Sequence, residues 1–148
     1  MAFTHTVSPK GQLRVLLSGL AILTVLACSV GIGTSGLNVT TALIGDAWMA
    51  TDETGEQRTS VYSEDATFFV FMELEEAPDG ADIEVRWNEL DALGPGVHQV
   101  LTRTSIHAPN EGTYYFYLAS ETLWSVASYS VHIYLDGNFA QELSFAVE

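Results

Sequence analysis

Beyond residue 40 the chain alternates apolar and polar residues with a period of two, broken by turn signals at short intervals. Successive side chains of a strand point to opposite faces, so this pattern predicts an all-β sandwich or barrel. Seven strands can be read. The first covers residues 41–49. A polar stretch over residues 51–57 follows, with a short edge piece expected near residues 59–62. The second strand covers residues 67–74, with Phe68, Val70, Met72 and Leu74 on one apolar face. A turn, Ala77-Pro-Asp-Gly80, leads to a third strand at residues 82–89. There Ile83, Val85 and Trp87 face one way and Asp82, Glu84, Arg86 and Asn88 the other, as in antiparallel sheet with one wet face. Gly94-Pro-Gly96 precedes a fourth strand at residues 97–106, whose ambiguous alternation suits a sheet edge. The fifth strand is expected at residues 113–118 and the sixth at 128–135, with Tyr129, Val131, Ile133 and Leu135 inward. Asp136-Gly137-Asn138 signals a tight hairpin into the seventh strand, residues 139–147, with Phe139, Leu143, Phe145 and Val147 inward.

The first 40 residues follow a different pattern. Lys10 and Arg14 precede an uncharged run over residues 15–33, and the next charge is Asp46. A basic segment followed by an apolar one is an export signal. Positive charge before the run holds the N-terminus inside and sends the remainder out. Residues 1–28 are therefore read as an export signal or membrane anchor, forming one apolar helix. Residues 29–40, rich in Gly and Ser, are read as a tether, and residues 41–148 as the exported domain.

Charge sharpens this division. All 19 Asp and Glu lie at or after Asp46, where they meet three arginines and no lysine, a formal charge of −16 with His neutral. Such a surface repels nucleic acid and anionic headgroups. It suits a salt-adapted host, or an ordinary acidic secreted domain. Cys28 is the single cysteine, so the domain has no disulfide to staple it.

Seven strands with an inward Trp87 on the third resemble an immunoglobulin-like antiparallel sandwich, without the inter-sheet disulfide of antibody domains. The C-terminal stretch is more particular. Trp124 precedes Tyr129-Ser-Val-His-Ile-Tyr-Leu-Asp-Gly137, and a final Phe145-Ala-Val147 strand closes the chain. This resembles the immunoglobulin-like module of many uncharacterised bacterial and archaeal exported proteins and lipoproteins, over residues 41–148. The resemblance implies fold and compartment and transfers no catalytic residue. Val25-Leu-Ala-Cys28 resembles a lipoprotein signal box, which implies Cys28 as the lipidated N-terminus of the mature chain. An uncleaved anchor and a soluble secreted product are the other two fates.

Candidate chemistry is sparse. His98, His107 and His132 lack the i, i+2 or i, i+4 company of a metal site, and no Gly-x-Ser-x-Gly elbow occurs. No cofactor is expected. Glu73, Glu75, Glu76, Asp79 and Asp82 form a candidate cation cluster around the second turn, because hard cations want several convergent oxygens. The competing reading is a solvated acidic turn. Phe69 and Phe71 on the second strand and Tyr115 and Tyr117 on the fifth fall on the outer face of two strands expected to pair. They make a candidate interaction patch. The competing reading is that the faces are inverted, or that the tether or residues 51–57 cover it.

Together these features point to a non-catalytic interaction module held at the extracytoplasmic face of the membrane or cell surface, docking a protein partner or a second copy. The alternatives are a carbohydrate-binding module stacking sugars on Tyr115, Tyr117 and Trp124, or a salt-adapted surface lipoprotein.

Overall fold

β-branched and aromatic residues at alternate positions pack well on a pleated surface, and they become strands wherever the alternation is sustained. The structure, a computed structural model, describes residues 2–6, 42–77 and 79–148, which belong to one compact unit. It holds nine strands: β1 (Ala2–Thr6), β2 (Leu43–Ala50), β3 (Val61–Tyr62), β4 (Phe68–Glu75), β5 (Ala81–Glu89), β6 (Gln99–Ala108), β7 (Gly112–Leu118), β8 (Ser128–Leu135) and β9 (Asn138–Val147). They form a four-stranded sheet in the order β1-β7-β4-β2 and a five-stranded sheet in the order β3-β9-β8-β5-β6. All pairings are antiparallel except β3 with β9. The described residues are thus a two-sheet β-sandwich with no helix.

The inner faces are those the alternation marks. Phe68, Val70, Met72 and Leu74 from β4 meet Ile83, Val85 and Trp87 from β5 and Tyr129, Val131 and Ile133 from β8, all buried. Phe68 is the hub. Its ring lies 4.9 Å from Tyr62, 4.7 Å from Trp124, 4.8 Å from Phe145, 6.0 Å from Tyr129 and 6.4 Å from Trp87. Aromatic contacts of this kind add about 0.5–1.5 kcal/mol per pair beyond area burial. Polar tips of the core rings turn outward to backbone acceptors. Tyr62 donates to the Ala50 carbonyl at 2.9 Å, and Tyr129 donates to the Ser125 carbonyl at 2.8 Å. Trp87 Nε1 is buried without a hydrogen-bond partner, and the Phe145 ring stands edge-to-face with the indole at 6.3 Å.

The strand boundaries fall within a few residues of those read from the alternation, and β6 is an edge strand as expected. The piece anticipated near residues 59–62 is β3, hydrogen-bonded alongside the end of β9. Two findings differ. Ala2–Thr6, within the stretch read as an export signal, forms β1 alongside β7. The rest of that stretch, with Cys28, the expected helix and the tether, lies outside the described residues. Phe139 was expected inward and is 57% exposed. The register of β8 with β9 shifts between Ile133 and Tyr134, so Ala140 is an extra residue and Phe139 comes opposite the outward Tyr134. A bulge reverses which face the following side chains take. Phe139 packs edge-on against His132 and Tyr134 instead. The hairpin itself is as expected: Asp136 and Gly137 both have positive φ, 48° and 79°, the conformation a two-residue turn of matching twist requires.

The Tyr129 hydroxyl ties the loop before β8 to the start of that strand. Replacing Tyr129 with Phe keeps the ring and deletes the bond. It is expected to lower unfolding free energy by about 1 kcal/mol in urea titrations, with an unchanged denaturant slope.

Candidate functional site

The outer face of the four-stranded sheet brings the four candidate aromatics together as the sequence implies. Phe69 is paired with Tyr117 and Phe71 with Tyr115 across the β4–β7 ladder. Phe71 and Tyr115 stack at 5.2 Å, and Phe69 lies 5.8 Å from Tyr117. They are not an open patch, however. Phe69, Phe71 and Tyr115 are 7%, 2% and 8% exposed, and only Tyr117 remains half-buried. Trp48 from β2 stacks on Phe71 at 5.4 Å with 9° between planes, and the Arg58 guanidinium covers Trp48 at 4.1 Å. The result is a second, smaller core, with Ala50 at its base.

The lid is the loop between β2 and β3. Asp52 folds it: its carboxylate accepts from the Thr54 hydroxyl and, at 3.1 Å, from the Gln57 amide. The Thr54 bond, more than the backbone amides, lowers the Asp52 pKa. Gly55 sits at φ 71° and lays its backbone on Phe71, and its carbonyl accepts the Trp48 indole N–H at 3.0 Å. A Cβ at Gly55 would lie 3.1 Å from three ring atoms of Phe71. Arg58 is paired with Asp46 at 3.2 Å, an exposed pair of small energetic weight that orients the guanidinium. Trp48, Gly55 and Arg58 were not singled out in the sequence. The Asp-x-Thr-Gly turn chemistry between an outer-face Trp and an Arg was the available signal.

The acidic residues do not converge. Among the described residues no three carboxylate or imidazole groups are placed to share a cation. β4 and β5 belong to different sheets, so Glu73 and Glu75 project from one outer face and Asp82 from the other. Asp82 is engaged by His107 Nδ1 at 2.8 Å, and its amide donates to Asp136 at 2.9 Å. Glu76 and Asp79 are exposed in the turn. This corrects the expectation of a cation cluster.

Trp124 is likewise a pin, not a platform. Its indole N–H donates to the Ala66 carbonyl at 2.8 Å, its backbone amide to Glu64 at 2.7 Å, and its ring packs on Phe68. Pinning Trp124 turns its neighbours outward. Leu123 and Val126 are each 67% exposed. The β5–β6 loop adjoins them through the Leu90 amide, which donates to Ser128 at 2.8 Å. That loop presents Leu93, 72% exposed, with Val97, and Val100 follows at the start of β6. It too is tied down: the Gly96 amide donates to Asp91 and the Val97 amide to Gly94. Val61 on β3 completes the group. Among the described residues, six of the eight large exposed apolar side chains therefore lie at one pole, while residue 42 enters the sandwich at the other, beside the β8–β9 hairpin. At that entry pole a shallow cleft of about 290 Å³ is lined by Ala42, Ile44, Leu135 and Phe139.

Comparisons with known proteins concern the fold. No protein-family profile matches the chain, and no curated protein matches it. Among solved structures, the alkylpurine DNA glycosylase AlkC of Pseudomonas fluorescens, bound to DNA containing an abasic site analogue, is similar over 74% of this chain. The identity is 13% and the TM-score 0.51, and the chain spans 31% of that protein. An immunoglobulin-like protein from Pseudomonas aeruginosa is similar over 72% of this chain and 96% of its own, at 15% identity and a TM-score of 0.47.

Two outcomes test this geometry. Gly55→Ala forces a side chain into a positive-φ position against Phe71 and is expected to lower stability by about 1–2 kcal/mol. Titration with base tests burial of the phenols. Desolvation raises the pKa values of Tyr62, Tyr129 and Tyr115, that of Tyr62 most. A raised folded pKa means full stability below pH ~10, the unfolded value, and loss as pH climbs above it. Tyr62, the most strongly shifted, contributes at most about 1.4 kcal/mol per pH unit to the decline, and Tyr115 and Tyr129 contribute less. Phenolate absorbance at 295 nm should therefore rise late for these groups, together with loss of the circular dichroism signal.

Proposed function

We propose that this chain is a membrane-anchored, extracytoplasmic module of the immunoglobulin-like sandwich class that binds a protein partner and performs no catalysis. The class is supported by the β2-β4-β7 and β9-β8-β5 strand orders, the buried Trp87 on β5 and the Tyr129 corner at the start of β8. Compartment and anchor are supported by the basic-then-apolar leader and the Val25-Leu-Ala-Cys28 box.

One observation carries the binding reading: the pole opposite Ala42 holds Leu93, Val97, Leu123 and Val126 exposed on pinned loops, with Val100 beside them at the start of β6. Soluble domains keep clustered apolar surface where a partner covers it. Tying the loops down beforehand lowers the ordering cost of association. Glu64, Asp91, Glu121 and Glu148 frame the pole, so the matching surface has an apolar centre ringed by Lys and Arg. Residues 29–40, read as a tether, would hold that pole away from the membrane.

Sugar binding has less support, because Phe71 and Tyr115 are spent on each other and on Trp48, and Trp124 is turned into the core. The DNA contact of the glycosylase does not transfer to a domain with three arginines against 19 carboxylates, which phosphate backbones repel.

The test is co-purification from membranes in detergent. The paired substitution Leu123→Ser and Val126→Ser should abolish recovery of a stoichiometric partner while leaving the unfolding curve within about 0.5 kcal/mol, as for surface changes. Undiminished recovery would remove the docking role of this pole. Mass spectrometry of the native N-terminus should show diacylated Cys28, and a cytosolic chain with an intact N-terminus would refute the compartment.

A further inference from the structure

Sheet edges are templates for another strand, and proteins guard them with short length, charge, bulges or covering segments. Three of the four edges beside the described strands are guarded in this way. β3 has two residues. β6 carries Arg103 and His107 and is bulged against β5 at Trp87 and Asn88. β2 is bulged between Ile44 and Ala47, and its outer side is covered where Ala50 bridges Arg58 and the Thr59 amide donates to Met49.

β7 differs. Gly112-Thr-Tyr-Tyr-Phe-Tyr-Leu118 has no charge and no proline, and its ladder with β4 runs without a register shift. Among the described residues its edge is covered by β1, which pairs antiparallel with residues 114–118, Ala2 opposite Leu118 and Thr6 opposite Tyr114. β1 belongs to the leader. Cleavage before Cys28 removes it, cleavage to a soluble product removes it, and an uncleaved anchor strands it across the membrane from the domain. In each fate the exported domain loses its edge cover.

We infer that the edge of β7, bared by export, pairs antiparallel with β7 of a second copy to join two four-stranded-sheet faces into one continuous sheet. The inference rests on the export reading of the leader. A two-fold axis at Phe116 reproduces the span that β1 now occupies. It sets Tyr115 opposite the partner's Tyr117 on the outer face, and Tyr114 opposite the partner's Leu118 on the inner one. Outer aromatics meet outer aromatics, as stable cross-strand pairs require, and the interface is self-complementary, as two-fold symmetry demands. The paired residues 114–118 are neutral, so like charges do not face each other within the ladder, although the same register brings Glu111 toward the partner's Glu121 at each end. Long-range repulsion between two domains of formal charge −16 remains, and salt screens it.

The experiment is sedimentation of the natively processed protein in detergent at 0.1 and 1 M NaCl, with amide exchange read on residues 114–118. The expected result is a monomer–dimer equilibrium that tightens at least several-fold at high salt, with exchange in residues 114–118 slowing as concentration rises. Tyr117→Asp, which places like charges across the two-fold, should weaken dimerisation by about 30-fold or more with folding retained. Val61→Asp, on the edge strand of the other sheet, should leave it unchanged. A processed protein that stays monomeric at both salts overturns the inference and leaves the export reading standing. So does a dimer insensitive to Tyr117→Asp. A cytosolic chain with its N-terminus intact refutes the export reading and the inference together.

Discussion

Everything in the sandwich depends on the aromatic cluster between the sheets, with Phe68 at its centre. The domain has no cysteine and so no covalent bridge from one sheet to the other. What joins them is ring packing: Phe68 on β4 touches Tyr62, Trp87, Trp124, Tyr129 and Phe145, which arrive from β3, β5, the β7–β8 loop, β8 and β9. Truncating a buried Phe to Ala typically costs about 3–5 kcal/mol, a large part of the stability of a domain this size. Phe68 therefore plays the part that a disulfide plays in many exported domains. It also reaches further than a disulfide can, because Trp124 carries its influence into the loop that turns Leu123 and Val126 outward.

The fold was legible because its signals are local. Ile83, Val85 and Trp87 alternate with charged and amide residues, and the period alone fixes a strand with one buried face. Asp136-Gly137 requires a specific pair of positive φ values and so marks its hairpin. Phe139 was misread because a bulge is set by pairing to the neighbouring strand, and nothing within residues 138–147 reveals that Ala140 is the extra residue. The entry of Ala2–Thr6 into a sheet was equally hidden, since a five-residue segment carries little periodicity and its partner lies more than 100 residues away.

The site was legible only in part. Register could be inferred, so Phe69, Phe71, Tyr115 and Tyr117 were correctly gathered on one face. Their exposure stayed open between a free patch and cover by residues 51–57, because it depends on where the chain between β2 and β3 comes to rest, and the structure shows the cover. That path follows from Asp52 binding Thr54 and Gln57 and from Gly55 lying flat on Phe71, contacts that no period announces. The acidic residues show the opposite error. Glu73 and Asp82 are near in sequence, but the turn between them carries the chain from one sheet to the other. The pole of exposed aliphatic residues escaped notice for a related reason: Leu93, Leu123 and Val126 sit in loops, where apolar residues have no pattern, and they gather only because Leu90 bonds Ser128 and Trp124 bonds Glu64 and Ala66.

The last strand ends where those loops stand. The Val147 amide donates to Ala127 and the Glu148 amide to Tyr62, so the final residues are built into that pole. A fluorophore, affinity handle or fused enzyme attached after Glu148 would stand beside Val126 and shade the apolar loops. Such a reporter would mask the proposed docking pole, whereas a reporter carried on the Asp136-Gly137 hairpin, at the far end of the sandwich, would leave those loops open.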